Sequence, residues 1–246
     1  MTLNELIHFY LFNCGNANPL CPSMIEEMNL IKTSYNNGSR SIDDILRECV
    51  CNRHGHQYCI PNSAVNSAVI ALMKSKYIGK HHKSVPFIKS GSSKINGGNM
   101  SFSDFEDLHD FVRYAIGSIN GIGPLTVYDT AKRIGHILTY PVYPQEYVYL
   151  SAGAMDGAQA LLGCSKLKFR EPIEKFQPYF GTLSSIFVED ILCIFKDVLK
   201  TNTKNTTPGK SACIQAWPYL YSDVIDSNKV KKCLFRKWDE KNVKSI

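Results

Sequence analysis

Apolar residues recur at helical spacing along most of the chain, and strand-type alternation is scarce. Asn4 to Phe12 predicts a helix, and so does Ser23 to Thr33, where Ser23 caps and Glu26 follows three residues on. Ser41 opens another, with Asp43 and Asp44 in the first turn, where the positive end of the helix dipole favours them. Asn62 to Met73 puts Val65, Val69 and Leu72 on one face. After Ser103 and Asp104, a stripe of Phe105, Leu108, Phe111, Val112, Ala115 and Ile116 predicts an amphipathic helix. Its successor runs from Pro124 to Leu138, with the proline in the first turn, where a missing N–H costs nothing. Ser151 to Leu162 is rich in small residues. Gly153 and Gly157, flanked by Ala154 and Ala158, strip one face and permit close backbone approach. Leu183 to Leu199 is the most apolar stretch and predicts a buried central helix. The fold class is therefore all-α, a helical globular protein.

Polar stretches divide this pattern. Residues 1–77 form an N-terminal helical region, 78–100 a lysine-rich linker or loop, 101–200 a core domain, and 201–246 a polar loop with a basic tail. No internal repeat is present.

A chain of 246 residues with 44% hydrophobic and 20% charged residues can bury a real core. No apolar run is long enough for a membrane span, and Met1 to Leu20 lacks the basic start of a secretory signal, so a cytoplasmic protein is expected. Nine cysteines without regular spacing suit reduced thiols better than a disulfide scaffold, with Cys164 and Cys193 read as small core residues. The net charge of +6 is unevenly placed. Six lysines and no acid occupy 74–94, and the tail from 196 is basic. Residues 104–138 hold five acids against three bases, which weakens the electrostatic case for nucleic acid there.

The most informative segment lies within that acidic stretch. Ile119-Asn120-Gly121-Ile122-Gly123-Pro124 reads as a tight glycine turn between two helices. A Cβ at Gly121 or Gly123 would obstruct the turn or an approaching phosphate, while Ile122 turns inward as an anchor. The first-turn N–H groups after Pro124 and the helix dipole point to the same place, which suits a nucleic-acid backbone phosphate and reads no base. The candidate nucleic-acid-binding residues are Gly121, Ile122, Gly123, Pro124, Leu125, Thr126 and Lys132. Asp129, Lys132 and Arg133 are expected to face solvent, with Lys132 in reach of a neighbouring phosphate.

The residues from Leu108 to Leu138, with Gly121, Ile122, Gly123 and Ala131 at the pattern positions, resemble the helix-hairpin-helix family of sequence-independent DNA-binding motifs. The runs GIGPLTVYDTAKRIG and VYLSAGAMDGAQALLG are also similar to a stretch in a group of uncharacterised bacterial proteins, a likeness that carries no activity. Base-excision DNA glycosylases are enzyme relatives of the motif, and the resemblance to them is distant. Their lyase lysine falls where this chain has Leu125. Their catalytic aspartate falls near Val148-Tyr149-Leu150-Ser151, which has no carboxylate, with Glu146 and Asp156 on either side. Their iron–sulfur cysteine quartet is missing. No catalytic residue and no cofactor is assigned.

Cys49, Cys51, His54, His56 and Cys59 gather five possible zinc ligands in eleven residues, in a spacing that matches no common finger. A helix end and a loop with reduced thiols and surface histidines is the preferred reading, and no metal site is assigned. His81 and His82 lie in the lysine stretch, and Trp217 and Trp238 in the C-terminal region. No phosphate loop, dinucleotide fingerprint or nucleophile elbow occurs. The expected function is sequence-independent binding of a DNA backbone. The alternatives are a structural or protein-interaction module with a non-binding hairpin, and a divergent glycosylase or lyase.

Overall fold

In the computed structural model of the protein, the described residues are 32–34, 36–50, 60–75, 77, 102–138 and 140–201, with Leu3, Ile7 and Asn29. They are mostly helical, with one short sheet, as the periodicity predicts. None of their helices is long and apolar enough to cross a membrane. The chain divides into two compact units, 25–145 and 1–24 with 146–246. The division falls after Gln145 rather than at the lysine-rich stretch, so helices on both sides of 78–100 share one unit. The predicted helices at Asn4–Phe12 and Ser23–Thr33 lie largely outside the described residues, as do 78–100 and the tail beyond 201.

The unit of residues 25–145 contains α1 (Ile42–Val50), α2 (Asn62–Lys74), α3 (Phe105–Ile116) and α4 (Pro124–Ile137). Local chemistry sets their starts. At α1, the Ser41 N–H donates to Asp44 and the Asp44 N–H donates back to the Ser41 hydroxyl, a reciprocal cap. The hydrogen bonds from Ser41 hold the Asp44 carboxyl below the usual carboxylate range. At α3, the Asp104 carboxylate accepts from the Asp107 N–H at 2.8 Å. α4 starts at Pro124 after an extended Gly123.

α4 packs against α3 and α1, and α2 against α1 and α3. From Thr126 to Gly135 every residue of α4 is buried. Gly135 admits a close neighbour: a Cβ there would lie 2.4 Å from the Val142 carbonyl oxygen, and the Val142 N–H donates to the Gly135 carbonyl.

The other unit contains β1 (Tyr147–Tyr149), α5 (Ala152–Leu162), β2 (Arg170–Pro172), a 3₁₀ turn at Ile173–Lys175, α6 (Gln177–Phe180), α7 (Ser185–Ile194) and α8 (Lys196–Thr201). β1 and β2 pair antiparallel, Val148 opposite Glu171. Three-residue strands carry too little alternation to stand out in a sequence. The predicted helix over Leu183–Leu199 is two helices meeting at Phe195, whose side chain is buried. The stripped face of α5 is a packing surface. A Cβ on Gly157 would lie 2.1 Å from the Leu192 carbonyl oxygen, and one on Gly153 3.0 Å from the Cys193 sulfur. Cys193 is half-buried, but Cys164 is exposed, not a core residue. Gly163 ends α5 in a left-handed conformation (φ 61°) and turns the next residue outward.

Candidate nucleic-acid interface

α3 ends at Ile116, and the chain turns through Gly117–Gly123 into α4. Gly121 has φ 89°, a conformation that side chains resist, so glycine is required there by the backbone. The fold surrounds it too: a Cβ would sit 3.3 Å from the Pro61 ring and 3.5 Å from the Ala64 Cβ. Gly123 differs from the expectation. Its φ of −96° suits any residue, and a Cβ there would meet nothing within 4 Å. The turn itself therefore does not explain a glycine at 123. The space in front of it is open.

Ile122 is 8% exposed and anchors the turn from within, and its N–H donates to the Ile119 carbonyl. That amide is unavailable to a ligand. The Gly123 and Thr126 N–H groups have no acceptor among the described residues. Gly121 and Pro124 are exposed, Gly123 and Leu125 half-buried, and Thr126 buried. The accessible surface at the start of α4 is thus Gly121, Gly123, Pro124 and Leu125, next to the exposed Gly117, Ser118 and Asn120 of the turn.

A second helix start adjoins it. Pro61 and Ala64, the groups a Cβ at Gly121 would meet, belong to the beginning of α2. Neither α2 nor α4 has a side-chain N-cap or an acid in its first turn. α1 and α3 in the same unit have acids there, Asp43 and Asp44 in one and Glu106 and Asp107 in the other. Asn62 and Ser63, at the open start of α2, are exposed.

The charged residues of α4 do not face solvent as expected. Asp129 is 5%, Lys132 6% and Arg133 4% exposed. Lys132 Nζ lies 3.3 Å from Asp129 Oδ1 and 4.6 Å from the centre of the Tyr128 ring. Arg133 Nη1 donates to the Cys49 carbonyl at 3.0 Å, satisfying the last turn of α1. These charges pair inside because α4, packed against α1 and α3, is buried at every position from Thr126 to Gly135. Lys132 as placed is a buried partner of Asp129 and is not presented to an external phosphate. The burial also redistributes charge. Asp107 and Asp129 lie inside, Asp104 and Glu106 sit at the start of α3, about 15 Å of helix away from the turn, and the half-buried Asp110 lies 3.5 Å from the Arg113 guanidinium.

Among the possible metal ligands, Cys49 is fully buried in the core. Cys51, His54, His56 and Cys59 lie outside the described residues, as do His81, His82, Trp217 and Trp238. No group of three or more potential ligands occurs among the described residues. Of the two carboxylates near the glycosylase-like position, Glu146 is exposed. Asp156 accepts from Lys200 at 2.7 Å, and that bond keeps its carboxyl below the usual range.

The far end of α4 carries a polar cluster that sequence reasoning missed. His136 Nδ1 lies 2.7 Å from the Tyr143 hydroxyl and Nε2 3.1 Å from Asn29 Oδ1. The amide oxygen can only accept, so Nε2 carries the proton and Tyr143 donates to Nδ1. The Lys32 ammonium lies 3.5 Å from the His136 carbonyl. Burial, and then Lys32, depress the His136 pKa below its ordinary 6.5, while burial raises that of Tyr143. The unfolded chain therefore takes up this proton first as pH falls. The contribution of His136 to stability is complete above pH 6.5 and declines as pH drops through and below that value. Thermal melts from pH 8 to 5.5 should show His136→Gln with a shallower acid loss than the wild type. An identical slope would contradict this assignment.

No protein-family model, curated protein or solved structure matches this chain.

Proposed function

We propose that the turn from Gly121 to Leu125 binds a nucleic-acid backbone phosphate without reading sequence. The observation that carries this reading is the meeting of two helix starts, α2 and α4, at one exposed turn, both lacking carboxylates and side-chain caps. Two positive dipole ends with unfilled N–H groups favour an anion. The open space before Gly123 supports it, since that glycine answers to no demand of the fold. The class of anion follows from the resemblance of Leu108–Leu138 to helix-hairpin-helix motifs. DNA backbone is accordingly the proposed partner.

Gly123→Glu is the informative variant. Its side chain enters open space, so folding should persist, while a carboxylate occupies the approach path. Fluorescence anisotropy with two unrelated 20-base-pair duplexes at low salt should show a loss of about tenfold or more for both, consistent with removal of a phosphate contact. Wild-type affinity in a folded Gly123→Glu protein would instead favour a purely structural hairpin. The interior placement of Lys132 and Arg133 favours that second reading, because it takes two cations away from the interface.

A further inference from the structure

We infer that the cleft between α2 and α3 seats one unpaired nucleotide, its base laid on Tyr114 and its phosphate turned to Lys74. This deepens the proposed function and takes the nucleic-acid class from it. The cleft has a volume of about 410 Å³ and is lined by Ala71, Lys74, Ser75, Tyr114 and Ala115. It is a shallow, open depression that can take one face of a small planar group without enclosing it. The two alanines project little into it.

Three features define what it accepts. Tyr114 is 64% exposed, yet its ring stands 5.9 Å from that of Tyr77, which meets Phe111 edge-on at 6.1 Å. An exposed ring braced by a second aromatic is a ready stacking platform. Lys74 supplies a cation in the last turn of α2, where it offsets the negative end of the helix dipole, and no acid is among the described residues that line the cleft. Ser75 is 8% exposed, and its hydroxyl has no hydrogen-bond partner among the described residues. Buried hydroxyls are ordinarily satisfied; this oxygen is closed to solvent as placed, so a ligand reaches it only when the side chain rotates toward the cleft. A planar, hydrogen-bonding, anionic ligand answers to all three. An apolar one would leave the ammonium and the hydroxyl unused.

The position fits the hairpin. Tyr114 and Ala115 lie in the last turn of α3, six or seven residues before Gly121. Six residues reach at most about 20 Å even when extended, and this stretch is folded into turns. A strand held at the hairpin could thus place a base in the cleft within a few nucleotides.

The test uses the full chain with three probes: a 12-nucleotide single strand of deoxyadenosine, a blunt duplex of mixed sequence, and free deoxyadenosine monophosphate. Tyr114→Ala should weaken single-strand binding about tenfold and leave the blunt duplex within about twofold, whereas Tyr114→Phe keeps both. Lys74→Gln should lower the salt dependence of single-strand binding by about one ion. Ser75→Ala should weaken single-strand binding without lowering Tm, since that hydroxyl has no partner among the described residues. Binding of the free nucleotide that is lost in Tyr114→Ala would assign the cleft to free nucleotides. Binding of the oligonucleotide alone would assign it to a strand, and both support the site. Equal affinities of wild type and Tyr114→Ala for the single strand and the free nucleotide overturn it, as does a wild type that binds neither. Failure of the hairpin reading has its own signature: Gly123→Glu would leave duplex binding unchanged while the Tyr114 effect persists.

Discussion

Gly157→Ala should destabilise the unit containing α5 and α7 by about 2–4 kcal/mol. In an exposed helix the same substitution stabilises, by about 1 kcal/mol, because alanine is the better helix former. Here the sign reverses. The new Cβ would lie 2.1 Å from the Leu192 carbonyl oxygen and 2.8 Å from its carbon. Both are backbone atoms of α7, so relief requires the two helices to separate. Leu192, Ala158 and Ala154 beside this contact are buried, and separation would loosen the core they share. Thermal unfolding should show a Tm lower by roughly 5 °C or more. An unchanged or raised Tm would mean that the two helices do not approach so closely.

Lys132→Met should cost about 3–5 kcal/mol, although it replaces a charge with an apolar chain of similar length. The loss arises at Asp129. That carboxylate is 5% exposed, and the Lys132 ammonium is its neighbour at 3.3 Å. Without the cation, the carboxylate must stay charged in a poor solvent or take up a proton. Replacing both residues, Asp129→Leu with Lys132→Met, should recover much of the stability, since desolvated ion pairs often gain little over apolar packing. Denaturant unfolding of the two single variants and the double variant measures the coupling. Were Lys132 a phosphate contact on the surface, Lys132→Met would weaken DNA binding and leave stability within about 0.5 kcal/mol.

The same residues show what a sequence carries and what it does not. Local signals were readable. Asp104 caps α3, Pro124 opens α4, and the paired glycines of α5 mark a close helix contact. Each depends on neighbours in the chain or on the small size of a side chain. The burial of Asp129, Lys132 and Arg133 was not readable, because it depends on how many elements surround α4. A charged helical face normally points outward, but α4 has no outward face between Thr126 and Gly135.

The hairpin was readable in outline only. A pair of glycines around an isoleucine announces a turn. It does not reveal that Gly121 is held by φ 89° and Pro61, while Gly123 borders open space. Nor does it show that the start of α2, some sixty residues earlier, adjoins the turn. Long-range partners of this kind leave no local pattern. The same holds for His136, Tyr143 and Asn29, three unremarkable residues until the fold brings them together.

The central claim is that backbone N–H groups at this turn donate to phosphate. Nuclear magnetic resonance of ¹⁵N-labelled protein, titrated with two unrelated DNA duplexes, addresses it at the level of single amides. The account predicts that the Gly121, Gly123 and Thr126 signals move downfield in parallel with both duplexes, and that added salt reverses the shifts. Amide signals at 121–126 that stay in place while the duplex saturates the protein would contradict it.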